Sequence, residues 1–156
     1  LTDKFPNLIY LIAGKGPYLE QIKKYVKELS LENHVIFLGW ITEPEKSLIL
    51  KNSEVFAMTP TTVGESVEGF GMAFIDAAFH GIPSVGSRSG GISDAIIENE
   101  TGLLAEAGNQ EEITKKLTEL LDNSELRTKL GQRGREIAEN QYSWENKIIE
   151  YLEAAN

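Results

Sequence analysis

Short apolar runs, the first two of which end at glycine, alternate with amphipathic helical stretches, and this alternation restricts the fold of the chain more than any other feature. The run Leu8–Ala13 is uninterrupted and is followed by Gly14, as is typical of a strand buried in a parallel sheet. From Pro17 to Leu29, apolar residues recur at helical spacing between lysines and glutamates. Such alternation predicts an α/β fold with a doubly wound parallel sheet.

The remaining elements continue this pattern. Further strands are predicted at 35–38, 55–58, 83–86 and 102–105, further helices at 43–51 and 71–80, and helical spacing from 110 onward, with Ser143 as N-cap of the last helix. Doubly wound sheets bind ligands at the carboxyl ends of their strands. We therefore expect four segments to lie along one edge of the sheet: the turn after Gly14, the segment after Gly39, the loop 59–71 and the Gly90–Gly91 turn.

Composition excludes several classes of function. The 156 residues suit one globular domain, and the net charge of -9 argues against a nucleic-acid partner. The absence of cysteine excludes disulfides and thiolate metal sites. No Asp-x-Asp pair occurs, and neither His34 nor His80 has neighbours in sequence that suggest a metal site or a catalytic triad. No apolar run approaches the ~20 residues of a membrane span.

The run Glu-Gly-Phe-Gly-Met at 68–72 places two glycines before a predicted helix, with Asp76 about one turn into that helix. A helix N-terminus offers unpaired N–H groups and about half a positive charge, which suits a phosphate. The carboxylates of Glu68 and Asp76 suit sugar hydroxyls. The pattern suggests a ligand with both groups, although a Gly-rich turn before a helix is also common in α/β proteins that bind nothing there.

The longer stretch from Glu68 to Gly91 resembles the donor-sugar site of the retaining glycosyltransferases of family 4, which have the GT-B fold. That site has a Glu-Gly-Phe-Gly turn, a helix with a second glutamate eight residues after the first, a Gly-x-Pro segment and a Gly-Gly turn. This chain has these landmarks except the second glutamate, which is replaced by Asp76. The resemblance is specific here and diffuse elsewhere, as far as Tyr142–Trp144.

The resemblance implies that residues 1–156 are the C-terminal, nucleotide-sugar-binding half of such an enzyme, Rossmann-like with extra C-terminal helices. The parent would be a cytoplasmic, metal-independent retaining hexosyltransferase of polysaccharide or glycolipid biosynthesis that needs no cofactor. Its partners would be a nucleoside-diphosphate sugar and an acceptor sugar or lipid. The acceptor domain, the first strand, the family's diphosphate-binding Arg and Lys and any membrane contact would lie upstream. We therefore expect this chain alone to bind donor weakly and to transfer nothing.

The resemblance also assigns roles to single residues. Glu68 would bind a sugar hydroxyl and hold the ring in its reactive pose, which makes it the catalytic candidate. Asp76 would accept hydrogen bonds from the ribose hydroxyls, while Ile41 and Lys46 match the positions near the nucleobase. The other donor-binding candidates are Gly14, Gly16, Gly69, Phe70, Gly71 and Met72, and no metal ligand is predicted.

Two alternatives remain open at this stage. One keeps the fold and makes the protein a nucleotide-sugar epimerase or a sugar-phosphate synthase, although neither explains the run from Glu68 to Asp76 as well. The other is a non-catalytic sugar-nucleotide-binding or interaction module in which Asp76 marks a degenerate site.

Overall fold

A computed structural model describes residues 1–61, 69–143 and 148, and the chain divides into two compact units, 1–47 and 48–156. In the first unit, strands β1 (Tyr10–Ala13) and β2 (Val35–Gly39) form a parallel pair. Helix α1 (Leu19–Glu28) connects them, because parallel strands need a crossover that is usually helical. Helix α2 (Glu43–Lys51) follows β2 along the chain.

The second unit contains a three-stranded parallel sheet in the order β3-β4-β5. Its strands are β3 (Phe56–Met58), β4 (Ser84–Ser87) and β5 (Gly102–Ala105). Its helices are α3 (Met72–Phe79), α4 (Ile92–Ala95), α5 (Gln110–Asp122) and α6 (Ser124–Gln141). Side chains of Asn109 and Asn123 accept hydrogen bonds from the first turns of α5 and α6, so each caps its helix.

The predicted parallel, helix-flanked architecture is confirmed, with two differences. The described strands form two sheets rather than one, and the short helix α4 was not predicted. The predicted final helix lies almost entirely outside the described residues.

Burial of the first strand was predicted wrongly. The strand starts at Tyr10, and Tyr10 and Leu11 are 49% and 36% exposed. Successive side chains of a strand point to opposite faces, so both faces are open. Within its unit, this two-stranded sheet has one crossover helix, and one helix covers only one face of a sheet.

The core of the second unit lies on both faces of its sheet. Leu103 and Leu104 of β5 are both buried, and they belong to different clusters. Leu104 packs with Phe74 of α3 and Ile92 of α4. Leu103 packs in the other cluster, whose buried helical members are Leu120 and Leu130. Helices therefore cover this sheet from both sides, and the sheet holds the starts of α3 and α4 in place.

Glycines of α6 allow this helix to approach the end of α3. A Cβ atom at Gly131 would overlap the carbonyl oxygen of Gly81. A Cβ atom at Gly134 would lie 3.6 Å from Cβ of Ala78, an ordinary contact. The same helix thus has one glycine that the packing requires and one that it does not.

We expect Gly131→Ala to lower the melting temperature and Gly134→Ala to raise it. Overpacking costs about 1–3 kcal/mol, and a backbone carbonyl cannot rotate away from the new methyl group. At Gly134 the alanine contributes its helix propensity of about 0.5–1 kcal/mol. Thermal denaturation of the two variants tests this, and equal changes in melting temperature would contradict the packing described for α6.

Candidate functional site

The turn that opens α3 depends on glycine at position 71. Gly71 occupies the N-cap position with φ of 84°, a conformation that residues with a Cβ rarely adopt. A Cβ atom there would also lie 2.7 Å from Cδ2 of Phe74. The Phe74 N–H donates to the Gly71 carbonyl over 2.9 Å. The predicted glycine turn before a helix is therefore confirmed, and its first helical residue, Met72, is exposed.

A second glycine turn supports this one from the end of β4. Gly90 has φ of 55°, and Gly91 is the N-cap residue of α4. A Cβ atom at Gly91 would overlap the carbonyl oxygen of Gly69 and lie 3.2 Å from Cα of Phe70. The expected close backbone approach at the Gly-Gly turn is thus present. The backbone that it approaches belongs to the turn at residues 69–71, which is predicted to bind the donor sugar nucleotide and is called the donor turn below.

Ser87 fixes the start of the loop that precedes the donor turn. The side chain is fully buried at the end of β4, and its hydroxyl donates to the carbonyl oxygen of Pro60. Sequence reasoning missed this residue. The available signal was a serine at the carboxyl end of a predicted strand, the position where doubly wound sheets place polar groups.

Arg88 is held by carboxylates of its own unit. Its guanidinium contacts Glu98 over 2.7 Å and Glu106 over 3.2 Å. Glu98 also pairs with Lys116 at 3.4 Å and accepts a hydrogen bond from the Leu104 N–H. This partly exposed network ties the turn after β4 to β5 and α5, so Arg88 has a structural use that does not require a ligand.

Asp76 lies in the second turn of α3 with a half-buried side chain. Its backbone carbonyl accepts a hydrogen bond from Nδ1 of His80 over 2.7 Å. Nδ1 of His34 likewise donates to the carbonyl of Leu8 over 2.9 Å. Both histidines therefore serve local backbone structure.

Within the first unit, Gly14 joins the ends of the two strands. Its N–H donates to the Gly39 carbonyl over 2.6 Å, and its φ of 127° is reserved for glycine. Gly16 accepts a hydrogen bond from the Leu19 N–H at the start of α1. A Cβ atom at either Gly14 or Gly16 would meet no atom within 4 Å. The surface of this turn is therefore open.

The other two predicted residues of the first unit flank the start of α2. Ile41 is half-buried, while the ammonium group of Lys46 pairs with Glu43 at 2.7 Å. Thr42 caps the helix through Glu45, whose carboxylate accepts hydrogen bonds from the Thr42 N–H and hydroxyl. The hydrogen bond from the Thr42 N–H is the main cause of the lowered pKa of Glu45.

The structure thus places the predicted residues in two groups. The residues Gly69, Phe70, Gly71, Met72 and Asp76 lie together at the start of α3 in the second unit. The residues Gly14, Gly16, Ile41 and Lys46 belong to the first unit. Glu68 lies outside the described residues.

Residues 1–61, 69–143 and 148 contain no group of three or more His, Asp or Glu side chains that could hold a metal ion. None of their helices is long and apolar enough to cross a membrane.

Comparison with known proteins gives consistent results. A family model described as "Glycosyl transferases group 1" matches residues 1–137. A Mycobacterium tuberculosis protein named GDP-mannose-dependent alpha-(1-6)-phosphatidylinositol monomannoside mannosyltransferase is 31% identical over 147 residues, 91% of this chain and 38% of the relative. The N-acetyl-alpha-D-glucosaminyl L-malate synthase of Bacillus anthracis is 30% identical over 141 residues, 90% of this chain and 35% of the relative. The chain therefore spans less than half the length of these relatives.

Solved structures agree on the fold. Anabaena HepE in complex with UDP-glucose superposes with a TM-score of 0.84 at 20% identity, covering 97% of this chain and 42% of HepE. The C-terminal domain of a group 1 family protein from Francisella tularensis gives a TM-score of 0.77 at 23% identity, covering 92% of this chain and 74% of that domain. The predicted fold, the C-terminal half of a GT-B protein, is confirmed.

Proposed function

We propose that this chain, which belongs to the family of group 1 glycosyl transferases, is the donor-binding domain of a retaining hexosyltransferase. The enzyme would move a sugar from a nucleoside diphosphate to an acceptor hydroxyl with retention of anomeric configuration. The observation that carries the proposal is the paired glycine turn, in which Gly91 lies directly against the backbone of Gly69 and Phe70, just before the start of α3.

The start of α3 suits the developing charge of the reaction. When the diphosphate departs, negative charge grows on its oxygens while the sugar becomes oxocarbenium-like. The first N–H groups of a helix have no intrahelical acceptor, and the helix dipole adds positive potential there. The amides of Phe70, Gly71 and Met72 would therefore stabilise the leaving diphosphate or orient the sugar hydroxyls. Because both turns are fixed by packing, these donors need little reorganisation during the reaction.

The carboxylates of Glu68 and Asp76 would bind the two sugar rings of the donor. Glu68 would accept a hydrogen bond from a sugar hydroxyl and orient the ring. Asp76 would bind the ribose hydroxyls, directly or through a water, since a bridging water is nearly as good as a direct bond. In the first unit, Gly14 and Gly16 would border the diphosphate, and Ile41 with Lys46 would lie near the base.

We assign binding of the acceptor to a part of the protein outside residues 1–156. The mycobacterial relative carries the name of a glycolipid mannosyltransferase, which supports a glycolipid or polysaccharide acceptor for this protein as well. We place the enzyme in the cytoplasm, with any membrane contact made by an upstream acceptor domain.

One observation favours a second candidate. Asp76 replaces the glutamate expected eight residues after Glu68, which is what a degenerate site in a non-catalytic sugar-nucleotide-binding module would show. An epimerase of the same fold has no such support.

Asp76 therefore tests the proposal. We expect Asp76→Ala to weaken nucleoside-diphosphate binding by about tenfold, equivalent to ~1.4 kcal/mol, and Asp76→Glu to preserve or improve it. Calorimetric titration of the complete protein with UDP and GDP provides the measurement. Glu119→Ala is the control, since it removes the same charge from an exposed position of α5.

Unchanged affinity in Asp76→Ala would make the carboxylate a solvated helix residue and favour the non-catalytic module. Loss of affinity in the Glu119→Ala control would instead indicate a general effect of charge.

A further inference from the structure

The end of α6 contacts the donor turn through an aromatic pair. The ring of Tyr142, which directly follows α6, lies 5.7 Å from the ring of Phe70 between centroids, with an interplanar angle of 55°. The Tyr142 N–H donates to the carbonyl of Ala138 over 2.9 Å, so the residue continues the last turn of the helix. The two residues are 72 positions apart, and nothing in the sequence pattern pairs them.

Helix α6, which ends directly before Tyr142, is closely packed within its unit. Three small residues of α6 are buried: Gly131, Gly134 and Ala138. Gly131 approaches the backbone of Gly81, just beyond the end of α3, too closely for a side chain. Helix α6 lies directly against α3 and against Gly81, which follows the C-terminal end of α3. This packing sets the position of Tyr142 beside the turn that opens α3.

Phe70 is consequently fixed at two points. Gly91 lies against its backbone, and Tyr142 lies against its ring. A ring pair of this geometry restricts the side chain because tilted aromatic contacts are favourable. The backbone N–H of Phe70 is one of the donors that the proposed function assigns to the ligand, so the orientation of the ring bears on the direction of that N–H.

We propose that Tyr142 is a positioning residue of the donor site, which holds Phe70 and through it the backbone amides at the start of α3. This inference rests on the proposed function. It assigns a role to the ring of Tyr142 rather than to its hydroxyl, because ring contact is the interaction that the structure records.

The test is a double-mutant cycle on the complete protein. We expect Tyr142→Ala to lower kcat/KM for the nucleotide sugar and the affinity for its nucleoside diphosphate by about five- to tenfold. Tyr142→Phe should restore both, because it keeps the ring. In a Phe70→Leu background, which retains the backbone amide, Tyr142→Ala should have little further effect. Tyr25→Ala is the control, since Tyr25 is an exposed tyrosine of α1.

The outcomes separate this inference from the proposed function. A wild-type protein that binds neither UDP, GDP nor a nucleotide sugar overturns both. If wild type binds and Tyr142→Ala has the same effect in both backgrounds, or none, the positioning role is wrong while the donor site stands. Failure of Tyr142→Phe to rescue would move the role to the hydroxyl and overturn the ring contact as its cause.

Discussion

We expect replacement of Glu68 by glutamine to lower turnover by about 100-fold or more and to leave affinity for the free nucleoside diphosphate nearly unchanged. The proposed partner of Glu68 is a hydroxyl of the transferred sugar, and the free nucleoside diphosphate lacks that sugar. Loss of the carboxylate would let the sugar leave its reactive pose, and a misplacement of about 1 Å is enough for a 100-fold loss of rate. The adjacent Gly69 is held against Gly91, so the turn beside Glu68 should keep its shape in the variant.

Steady-state kinetics at saturating nucleotide sugar, together with calorimetry of the nucleoside diphosphate, separates the two effects. Glu65→Gln is a matched control, because it removes the same charge three residues earlier in the sequence. If diphosphate affinity collapses in Glu68→Gln while turnover survives, Glu68 serves the nucleotide rather than the sugar.

We expect replacement of Gly91 by alanine to weaken binding of the nucleoside diphosphate by about 100-fold. The new methyl group would overlap the carbonyl oxygen of Gly69, and a backbone group can yield only by moving the turn. Displacement of the turn redirects the amides at the start of α3, which are the proposed donors to the ligand. Gly134→Ala is the control because its methyl group makes only ordinary contacts within the same unit. Circular dichroism of both variants checks that the fold is retained.

Much of the fold could be predicted from local patterns. Short apolar runs located β2 to β5, and the glycines at 69 and 71 located the start of α3 within one residue. These predictions succeeded because strand burial and helix entry leave a signature within a few residues of the chain. Burial of β1 was predicted wrongly because burial depends on covering layers, which the run itself does not contain.

The supports of the candidate site could not be predicted, since they join residues far apart in sequence. Gly91 meets Gly69 from 22 residues away, and the buried hydroxyl of Ser87 reaches back 27 residues to Pro60. The ion pair of Arg88 with Glu98 could not be predicted for the same reason, because the position of Glu98 relative to Arg88 is set by the pairing of β4 with β5. Parallel strands bring such residues together through crossovers, and the local periodicity of the sequence does not reveal which residues will meet.

The central claim is that the supported turn at the start of α3 forms the donor diphosphate site. Calorimetric titration of the complete protein and of its Gly91→Ala variant with UDP and GDP tests it most directly. The account predicts saturable binding of at least one nucleotide by wild type, and an affinity about 100-fold lower in Gly91→Ala, equivalent to ~2.8 kcal/mol. Equal affinities of wild type and a folded Gly91→Ala variant would contradict it.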